Sequence, residues 1–527
     1  MGTVRSMVER QIYELRVLDF EASLLRRMLQ SGCRSVHNGT YEEAIKMLNN
    51  NLQSNAAYLR SVDDLAKRKH DPNDSTKLKE TEKYLIRSGI DLDLLDTLSI
   101  IHVAGTKGKG TTCAFAEAIL RQHGFTTGFY SSPHLVSVRE RIQINGEPIS
   151  KEHFAGCFWT VYRRLEEARE SESDMPMYYK FLTILMFHVF LEANVDVAII
   201  EVGIGGELDC TNIVRNPVCV GITRLSLEHT SLLGNTLPEI AYQKSGIFKP
   251  NALAFTVPQL QSAMRVLQER AVERKCRNLE VVSAQNCTLV PNAIEIALAL
   301  KYGVLYQNAL LAISLAFEWM KARRDESVAQ FYYTENFYDF QSDVDASQII
   351  SLDNVMTALT DCKWPGRTQI LKTSVADFFL DGAHTYESIV NCVSWFKRNS
   401  QEASNKFLIF HTSGTRNSLP FLNLLKPLNF DRAYFTPNYA GVVSVEDLSS
   451  HIVIDEETSK CRKHSAFWGN SSVVKNNVAE VISDIKEHVS SRGDSHDKIE
   501  ILVTGSLHLV GALLTILDPG LTMRSDF

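Results

Sequence analysis

Glycines and lysines alternate in the stretch "GTKGKGTT" at 105–112, which joins the apolar run "LSIIHVA" to an alanine-rich helical pattern. A glycine turn between a strand and a helix gathers backbone N–H groups and the positive end of the helix dipole around one point, and such a point attracts phosphate. Lys109 can reach the β- and γ-phosphates of a nucleotide, and the Thr111 hydroxyl can face a metal or a phosphate. The stretch therefore predicts a nucleotide-binding loop.

The loop departs from the P-loop spacing GxxxxGK[ST] in two places. That spacing would require a glycine at Val103, and Gly110 separates Lys109 from Thr111. The alternative is a glycine-rich turn between a strand and a helix, with solvated lysines. Two lysines among three glycines favour phosphate binding over this alternative.

Three further residues at or near the ends of apolar runs are candidates for the same site. Glu201 ends the run "VDVAIIE" before a glycine turn, where a carboxylate can hold Mg²⁺ against phosphates, although a surface acid at a strand end is the alternative. His229 stands in "LEHTSLLG" and Lys244 in "AYQKSGIFKP". Taken alone, these two residues favour a structural histidine and a solvated lysine.

Strand-like and helical patterns alternate from about residue 98 to 283 and again after "WPGR" at 364–367. Such alternation predicts parallel sheets covered by helices, with ligands bound at the carboxyl edge of the strands. The hydroxyls of "SSPHL" at 131–135 would lie at that edge. We predict a domain boundary near residue 350, beside an acidic and aromatic surface insertion at 324–350.

Composition narrows the class of protein. Lys and Arg number 55 against 62 Asp and Glu, so the net charge of −7 argues against bulk nucleic-acid binding. The apolar stretch at 184–191 is too short to cross a bilayer, so no transmembrane segment is expected. Ten scattered cysteines suit reduced thiols in an intracellular protein. Residues 1–40 carry arginines but also acids, and are either a mitochondrial leader or an ordinary N-terminal extension.

Seven motifs occur in a fixed order along the chain: "GTKGKGTT", "SSPHL", "EVGIGGELDCTN", "EHTSLLG", "QKSGIFKP", "WPGR" and "LDGAHT". Together they resemble the folylpolyglutamate synthases, a family of Mur-type ATP-dependent amide ligases, over residues 40–320 and 360–520. The chain departs from the family pattern at Glu228, where Asp is usual, and before Asn308, where a His-Gln pair is usual.

The resemblance implies roles for individual residues. For ATP binding it selects Lys107, Gly108, Lys109, Gly110, Thr111, Asn308, Arg367 and Asp381. For Mg²⁺ binding it selects Ser131, Glu201 and His229. Catalytic roles fall on Lys109, His229 and Lys244, the last at a position that is carbamylated in related ligases. His384 and Ser506 match positions near the incoming glutamate.

The resemblance also implies a fold and a reaction. The fold would be a two-domain α/β Mur-ligase architecture, with an ATP- and folate-binding domain at 41–350 and a smaller Rossmann-like domain at 351–527. The reaction would add L-glutamate to the γ-carboxylate of the terminal glutamate of reduced folates, using ATP and Mg²⁺, with K⁺ as a further candidate. The alternative is a dihydrofolate synthase acting on dihydropteroate. We expect a monomer of the cytoplasm, the mitochondrial matrix or both.

A nucleotide-dependent switch that ligates nothing is the competing class. Such a switch would have no use for the contacts implied by "WPGR" and "LDGAHT" in the second half of the chain.

Overall fold

Buried apolar strands form the centre of both halves of the chain. A computed structural model of the protein describes residues 39–50, 52, 76–283, 303–335, 348–401, 405–414, 417–442, 454–491 and 499–525. The described residues within Met1–Ser132 and Arg141–Cys362 form unit 1, and those within Pro133–Glu140 and Lys363–Phe527 form unit 2. The predicted leader or extension at 1–40 lies outside the described residues except for positions 39 and 40.

Unit 1 is built on an eight-stranded sheet with the order β4-β3-β2-β5-β1-β6-β7-β8. Its strands are β1 (Ile100–Ala104), β2 (Thr127–Tyr130), β3 (Ile142–Ile144), β4 (Glu147–Pro148), β5 (Val197–Glu201), β6 (Cys219–Ile222), β7 (Leu253–Thr256) and β8 (Asn278–Val281). All neighbouring pairs from β2 to β8 in that order are parallel, and β3 and β4 add antiparallel pairs at one edge. Strands β1 and β5 are buried at every residue, as their uninterrupted apolar runs require.

Helices surround this sheet. They are α1 (Tyr41–Asn50), α2 (Thr76–Ser88), α3 (Leu92–Leu95), α4 (Lys109–Gln122), α5 (Lys151–Glu167), α6 (Tyr178–Glu192), α7 (Thr230–Leu233), α8 (Leu237–Lys244), α9 (Gln261–Glu273), α10 (Tyr306–Glu335) and α11 (Leu352–Asp361). The strands and helices predicted between 98 and 283 are confirmed. Across the described ranges, no helix has the length and apolar character of a membrane span.

Helices α10 and α11 both pack against α4, which follows the glycine loop. Helix α10 continues to Glu335, so the first part of the predicted insertion at 324–350 is helical, while 336–347 lies outside the described residues. Because α11 packs on α4, the two units divide after Cys362 and not near residue 350. The local pattern around residue 350 gives no sign of this packing, because it joins two helices that are far apart in the chain.

Unit 2 contains a six-stranded sheet with the order β13-β12-β11-β14-β10-β9. Its strands are β9 (Gln369–Lys372), β10 (Ala376–Leu380), β11 (Asn405–Phe410), β12 (Arg432–Phe435), β13 (Ser472–Val474) and β14 (Ile499–Thr504). Its helices are α12 (Tyr386–Asn399), α13 (Leu419–Leu425), α14 (Ile454–Trp468), α15 (Val478–Ser490) and α16 (Leu507–Leu517). Only β9, at one edge of this sheet, is antiparallel to its neighbour among the described strands. Separate apolar clusters pack on the two faces, as in a Rossmann-like domain.

The motif "SSPHL" is divided between the two units. Ser131 and Ser132 belong to unit 1, whereas the segment 133–140 belongs to unit 2. Within unit 2, Leu135 and Val136 pack against the apolar cluster that contains Leu509. The sequence predicted that the whole motif belongs to the first domain. The structure corrects this, because apolar packing places the second half of the motif in unit 2.

Trp319 fastens α10 to the rest of unit 1. Its side chain is 1% exposed, its ring meets that of Phe125 edge to face at 4.8 Å, and its Nε1–H donates to Ser99 Oγ at 2.8 Å. We expect Trp319→Ala to lower the unfolding free energy of unit 1 by about 3–5 kcal/mol, because it leaves a large cavity. Urea denaturation followed by circular dichroism measures this. The control is Val272→Ala, at a side chain that is 80% exposed. This substitution should change the unfolding free energy by less than about 0.5 kcal/mol.

Candidate functional site

The glycine loop lies where the sequence predicted it, between β1 and α4. The backbone N–H groups of Thr106 and Lys107 both donate to the carbonyl oxygen of Arg224, at 3.0 and 3.1 Å, which holds the loop beside the end of β6. Helix α4 begins at Lys109 directly after the loop. The N-terminus of a helix of this length is therefore presented at the carboxyl edge of the sheet, where an anionic ligand is favoured.

Two glycines of the loop are required by their surroundings. Gly108 caps α4 at φ 91°, and a Cβ there would lie 2.7 Å from Nδ2 of Asn308, inside van der Waals contact. Gly105 has φ 147°, and a Cβ there would lie 2.8 Å from Cβ of Thr223. A side chain at either position would displace the loop or its neighbour.

Asn308 lies against the loop although the His-Gln pair of the family pattern is missing before it. The residue is in the first turn of α10 and is 8% exposed. Packing of α10 on α4 brings its carboxamide to Gly108. Asn308 is therefore a neighbour of the loop, even though the local sequence before it differs from the family pattern.

Lys109 and Glu201 form a charged pair at the start of α4. Lys109 Nζ lies 3.9 Å from Glu201 Oε1, with side-chain exposures of 15% and 6%. The other carboxylate oxygen of Glu201 accepts a hydrogen bond from the backbone N–H of Ser132 at 3.0 Å. Glu201 therefore connects the glycine loop to the serine turn after β2, and the neighbouring Ser131 is buried.

His229 stands at the start of α7 in the left-handed region, with φ 51°. Burial lowers the pKa of its imidazole, with Glu228 acting in the opposite direction and Lys109 adding to the lowering. The ring is therefore neutral at pH 7 and keeps a nitrogen lone pair for a ligand. Glu228, the departure from the family pattern, pairs with Lys107 at 2.7 Å.

Lys244 is buried at the end of α8, with 3% exposure. Its Nζ donates to the carbonyl oxygen of Gly105 at 2.6 Å. Burial, with a smaller contribution from the charge of Lys109, lowers the pKa of Lys244 to about 7. The residue is not the solvated helix lysine that its local sequence suggests.

The glycine turn after β5 is held against α8. The N–H of Glu207 donates to the carbonyl oxygen of Gln243 at 2.7 Å, and the Glu207 carboxylate pairs with Arg270 and Arg274 of the α9 region. This connection fixes the end of α8, and with it the position of Lys244.

Asp209 was not predicted as part of the site. Its carboxylate is buried and accepts hydrogen bonds from Thr211 Oγ1 at 2.6 Å and from the N–H of Ile204 at 3.0 Å. The hydroxyl of Thr211 in turn contacts His102 Nε2 at 2.9 Å. Burial lowers the pKa of His102 to about 3, so the ring is neutral. An aspartate three residues after a pair of glycines, in the turn that follows a strand, was the available signal for this network.

In unit 2, the predicted residues around "LDGAHT" lie close together. Asp381 accepts from the N–H of Thr368 at 3.0 Å and from that of Ala383 at 2.9 Å. Burial raises the pKa of Asp381, and Arg367 acts in the opposite direction. His384 Nδ1 lies 2.8 Å from the carbonyl oxygen of Gly382.

Ser506 begins α16 at the carboxyl end of β14. Its hydroxyl is 2.9 Å from that of Ser413, which also accepts from Asn438 Nδ2 at 2.8 Å. Ser413 and Asn438 were not predicted. They follow β11 and β12 in sequence, and the parallel order of the strands brings them to Ser506.

Comparisons with known proteins find relatives that match most of this chain. A family model described as "Dihydrofolate synthetase, C-terminal domain" matches residues 367–516. The mitochondrial folylpolyglutamate synthase of Cricetulus griseus is 37% identical over 551 residues, covering 92% of this chain and 92% of that protein. The probable folylpolyglutamate synthase of Schizosaccharomyces pombe is 38% identical over 509 residues, covering 91% of this chain and 94% of that protein. This chain belongs to the folylpolyglutamate synthase family.

The fold agrees with solved structures of the same family. The Mycobacterium tuberculosis folylpolyglutamate synthase complexed with ADP matches with a TM-score of 0.63 and 21% identity, covering 88% of this chain and 98% of that one. At this identity the likeness concerns the fold. The two-domain α/β architecture predicted from the sequence is confirmed.

The residues of the family site fit a nucleotide with a divalent cation. Gly108 lets the Asn308 side chain lie directly against the loop, and the loop ends at the N-terminus of α4, where an anionic ligand is favoured. A hydroxyl, a carboxylate and a neutral imidazole, from Ser131, Glu201 and His229, are donors suited to Mg²⁺, which prefers oxygen ligands. Unit 1 brings the predicted lysines, Glu201 and Asn308 to its loop, and unit 2 gathers Arg367, Asp381 and His384.

The two glycines that flank α4 offer a matched test of the packing of Asn308 against the loop, because a side chain at position 108 would displace Asn308 or the loop. Gly108 and Gly124 have nearly equal φ, 91° and 89°, but a Cβ at Gly124 would meet nothing within 4 Å. We expect Gly108→Ala to weaken ATP binding at least about tenfold, and Gly124→Ala to leave it unchanged. Each should lose about 1–2 kcal/mol of stability from backbone strain alone. Calorimetric titration with a non-hydrolysable ATP analogue measures the first effect, and equal affinities for both variants would contradict the assignment.

Proposed function

We propose that this chain adds L-glutamate to the γ-carboxylate of the terminal glutamate of reduced folates, using ATP. The observation that carries the proposal is the pairing of Lys109 with the buried Glu201 at a glycine loop, in a chain 37% identical to a folylpolyglutamate synthase over 92% of its length. Repeated additions would make folylpolyglutamates for one-carbon metabolism. The chain would be a ligase that forms carbon–nitrogen bonds.

The reaction needs activation of a poor electrophile. Transfer of the γ-phosphoryl group of ATP to the folate carboxylate forms an acyl phosphate and ADP. The amino group of L-glutamate then attacks the acyl carbon, phosphate leaves, and the amine loses a proton. Lys109 would stabilise the charge that develops on the transferred phosphoryl group, since this reaction depends mainly on positioning and electrostatics.

Residues of unit 1 would hold the nucleotide and the metal. Lys107, Gly108, Gly110 and Thr111 would contact the phosphates of ATP from the loop, and Asn308 would contact the nucleotide from α10. Mg²⁺ would be held by Ser131, Glu201 and His229 and would neutralise phosphate charge when bound. K⁺ stays a prediction from the family resemblance, and we assign no residues to it.

Residues of unit 2 would contact ATP and glutamate. We assign Arg367 and Asp381 to ATP, and His384 and Ser506 to the glutamate side. Two observations support these assignments. The Asp381 carboxylate is oriented by the hydrogen bonds that it accepts from two backbone N–H groups, and the Ser506 hydroxyl is oriented by its hydrogen bond with Ser413.

The partners would be small molecules: reduced folates, L-glutamate and ATP. We propose that the chain acts as a monomer without nucleic acid. The name of the Cricetulus griseus relative supports a mitochondrial location, and a cytoplasmic form stays a further prediction.

The role of Lys109 can be tested by removing its charge. We expect Lys109→Ala to lower kcat about 10²–10³-fold while the protein keeps its fold, because the lysine acts on charge in the transition state. ADP release with tetrahydrofolate and glutamate measures this. Lys151→Ala, at an exposed lysine paired with Glu42, should retain full activity. Near-normal turnover of folded Lys109→Ala would refute the assignment.

Carbamylation of Lys244 depends on pH in a defined direction. The neutral amine captures CO₂ and releases one proton, and burial sets the pKa of Lys244 to about 7, so the amine is protonated at pH 6 and largely neutral at pH 8. We expect a carbamate signal in ¹³C NMR with labelled bicarbonate that grows between these pH values and disappears in Lys244→Arg. Lys249 also has a pKa lowered by burial, to about 8, so Lys249→Arg is the matched control and should keep the signal. An active protein without any such signal would disprove carbamylation.

Substrate choice separates the proposed activity from the alternative. We expect successive glutamate additions to tetrahydrofolate and none to dihydropteroate, because dihydropteroate lacks the terminal glutamate carboxylate. Mass spectrometry of the products, together with ADP release, measures both. A single addition to dihydropteroate without extension of tetrahydrofolate would establish a dihydrofolate synthase.

A further inference from the structure

A second group of chemically active side chains lies apart from the nucleotide loop. His153 and Cys157 are on α5, and Glu192 is the last residue of α6. A search of the described residues for three His, Cys, Asp or Glu side chains able to share a metal ion finds this trio, whose ligand atoms all lie within 4.8 Å of one another. We propose that these three residues bind a divalent zinc-type cation.

The distances suit a small tetrahedral ion. His153 Nε2 lies 3.3 Å from Glu192 Oε2, and Cys157 Sγ lies 3.1 Å from the same oxygen. Ligand atoms bonded to Zn²⁺ at about 2.0–2.3 Å with tetrahedral angles lie about 3.3–3.8 Å apart. Small rotations of the side chains would therefore open the trio enough to enclose the ion.

Helix geometry aligns the three side chains. His153 and Cys157 are four residues apart on α5, so they lie on the same face one turn apart. The i, i+4 spacing is the one by which helical histidine pairs hold zinc in metalloproteases. Glu192 completes the set from α6, which packs against α5.

The protonation chemistry also favours a cation. The Cys157 thiol donates to Glu192 Oε2, and His153 contacts the same oxygen, so one carboxylate serves both groups. Binding of Zn²⁺ would release the thiol proton and leave a thiolate, a carboxylate and a neutral imidazole around the ion. Their two negative charges balance the two positive charges of the metal, which reduces the cost of placing it near the buried Cys157.

The proposed site is partly exposed, through His153, and it is distant in the fold from the nucleotide loop. His153 is 31% exposed and Glu192 is 12% exposed, so water can supply the fourth ligand. Helix α6 leads into the start of β5, which places Glu192 at the amino edge of the sheet, whereas the loop after β1 is at the carboxyl edge. The ion would fasten the first two turns of α5 to the last turn of α6.

Cobalt provides a probe that reports thiolate ligation. The full-length protein is titrated with Co²⁺ under anaerobic conditions, in excess Mg²⁺ so that the oxygen-rich nucleotide site is occupied. We expect one equivalent of Co²⁺ with the thiolate-to-cobalt charge-transfer absorption and the visible bands of tetrahedral coordination, displaced by Zn²⁺. His153→Gln and Cys157→Ser should each lose the charge-transfer absorption.

Controls separate this site from other cysteines and from misfolding. Cys276→Ser, at a half-buried cysteine outside the trio, should keep the full cobalt spectrum. Zn²⁺ should raise the Tm of the unmodified protein and of Cys276→Ser, but not that of His153→Gln, whose half-exposed position tolerates the change. Absence of a thiolate band in the unmodified protein, or its persistence in Cys157→Ser, would overturn the proposal.

Discussion

The hydrogen bond from Lys244 to the carbonyl oxygen of Gly105 joins the two parts of unit 1 on which the site depends. A buried lysine is costly unless its ammonium or amine finds a partner, and here the partner is the first glycine of the nucleotide loop. The loop is also held by the carbonyl oxygen of Arg224, and Asn308 limits the space around Gly108. A short flexible stretch thereby acquires one conformation, because contacts from β6, α8 and α10 restrict it together.

Burial also determines the protonation of the groups around the loop. It lowers the pKa of Lys244 and of His229, so neither group needs to carry a full positive charge at neutral pH. In the proposed site, Lys109 and the helix N-terminus would supply the attraction for phosphate, and a neutral imidazole and a partly neutral amine would be available as ligand and nucleophile. The reduced charge on His229 and Lys244 makes it less costly to place these two groups near Lys107 and Lys109.

The zinc-type cluster on α5 and α6 uses a different chemistry from the nucleotide site. Hydroxyl, carboxylate and imidazole donors of the family site suit Mg²⁺, whereas a thiol beside a carboxylate and an imidazole suits a softer ion. The two sets lie at opposite edges of one sheet, because helices that precede parallel strands end at the amino edge and loops that follow strands lie at the carboxyl edge. One sheet can therefore carry two metal chemistries without competition between them.

The sequence by itself determined the class of fold, most of the parallel strands of both units and the glycine loop between β1 and α4, since buried runs and glycine turns are local signals. Seven ordered motifs also sufficed to indicate the family. Tertiary structure alone decided that α11 belongs with α4, that residues 133–140 belong to unit 2, and that Lys244 is buried on Gly105. Ser413 and the trio of His153, Cys157 and Glu192 escaped sequence reasoning for the same reason. Ser413 meets Ser506 only through the parallel order of the strands, and Glu192 joins the His153–Cys157 pair only because α6 packs on α5. Burial and distance across such contacts cannot be deduced from the spacing of neighbouring residues.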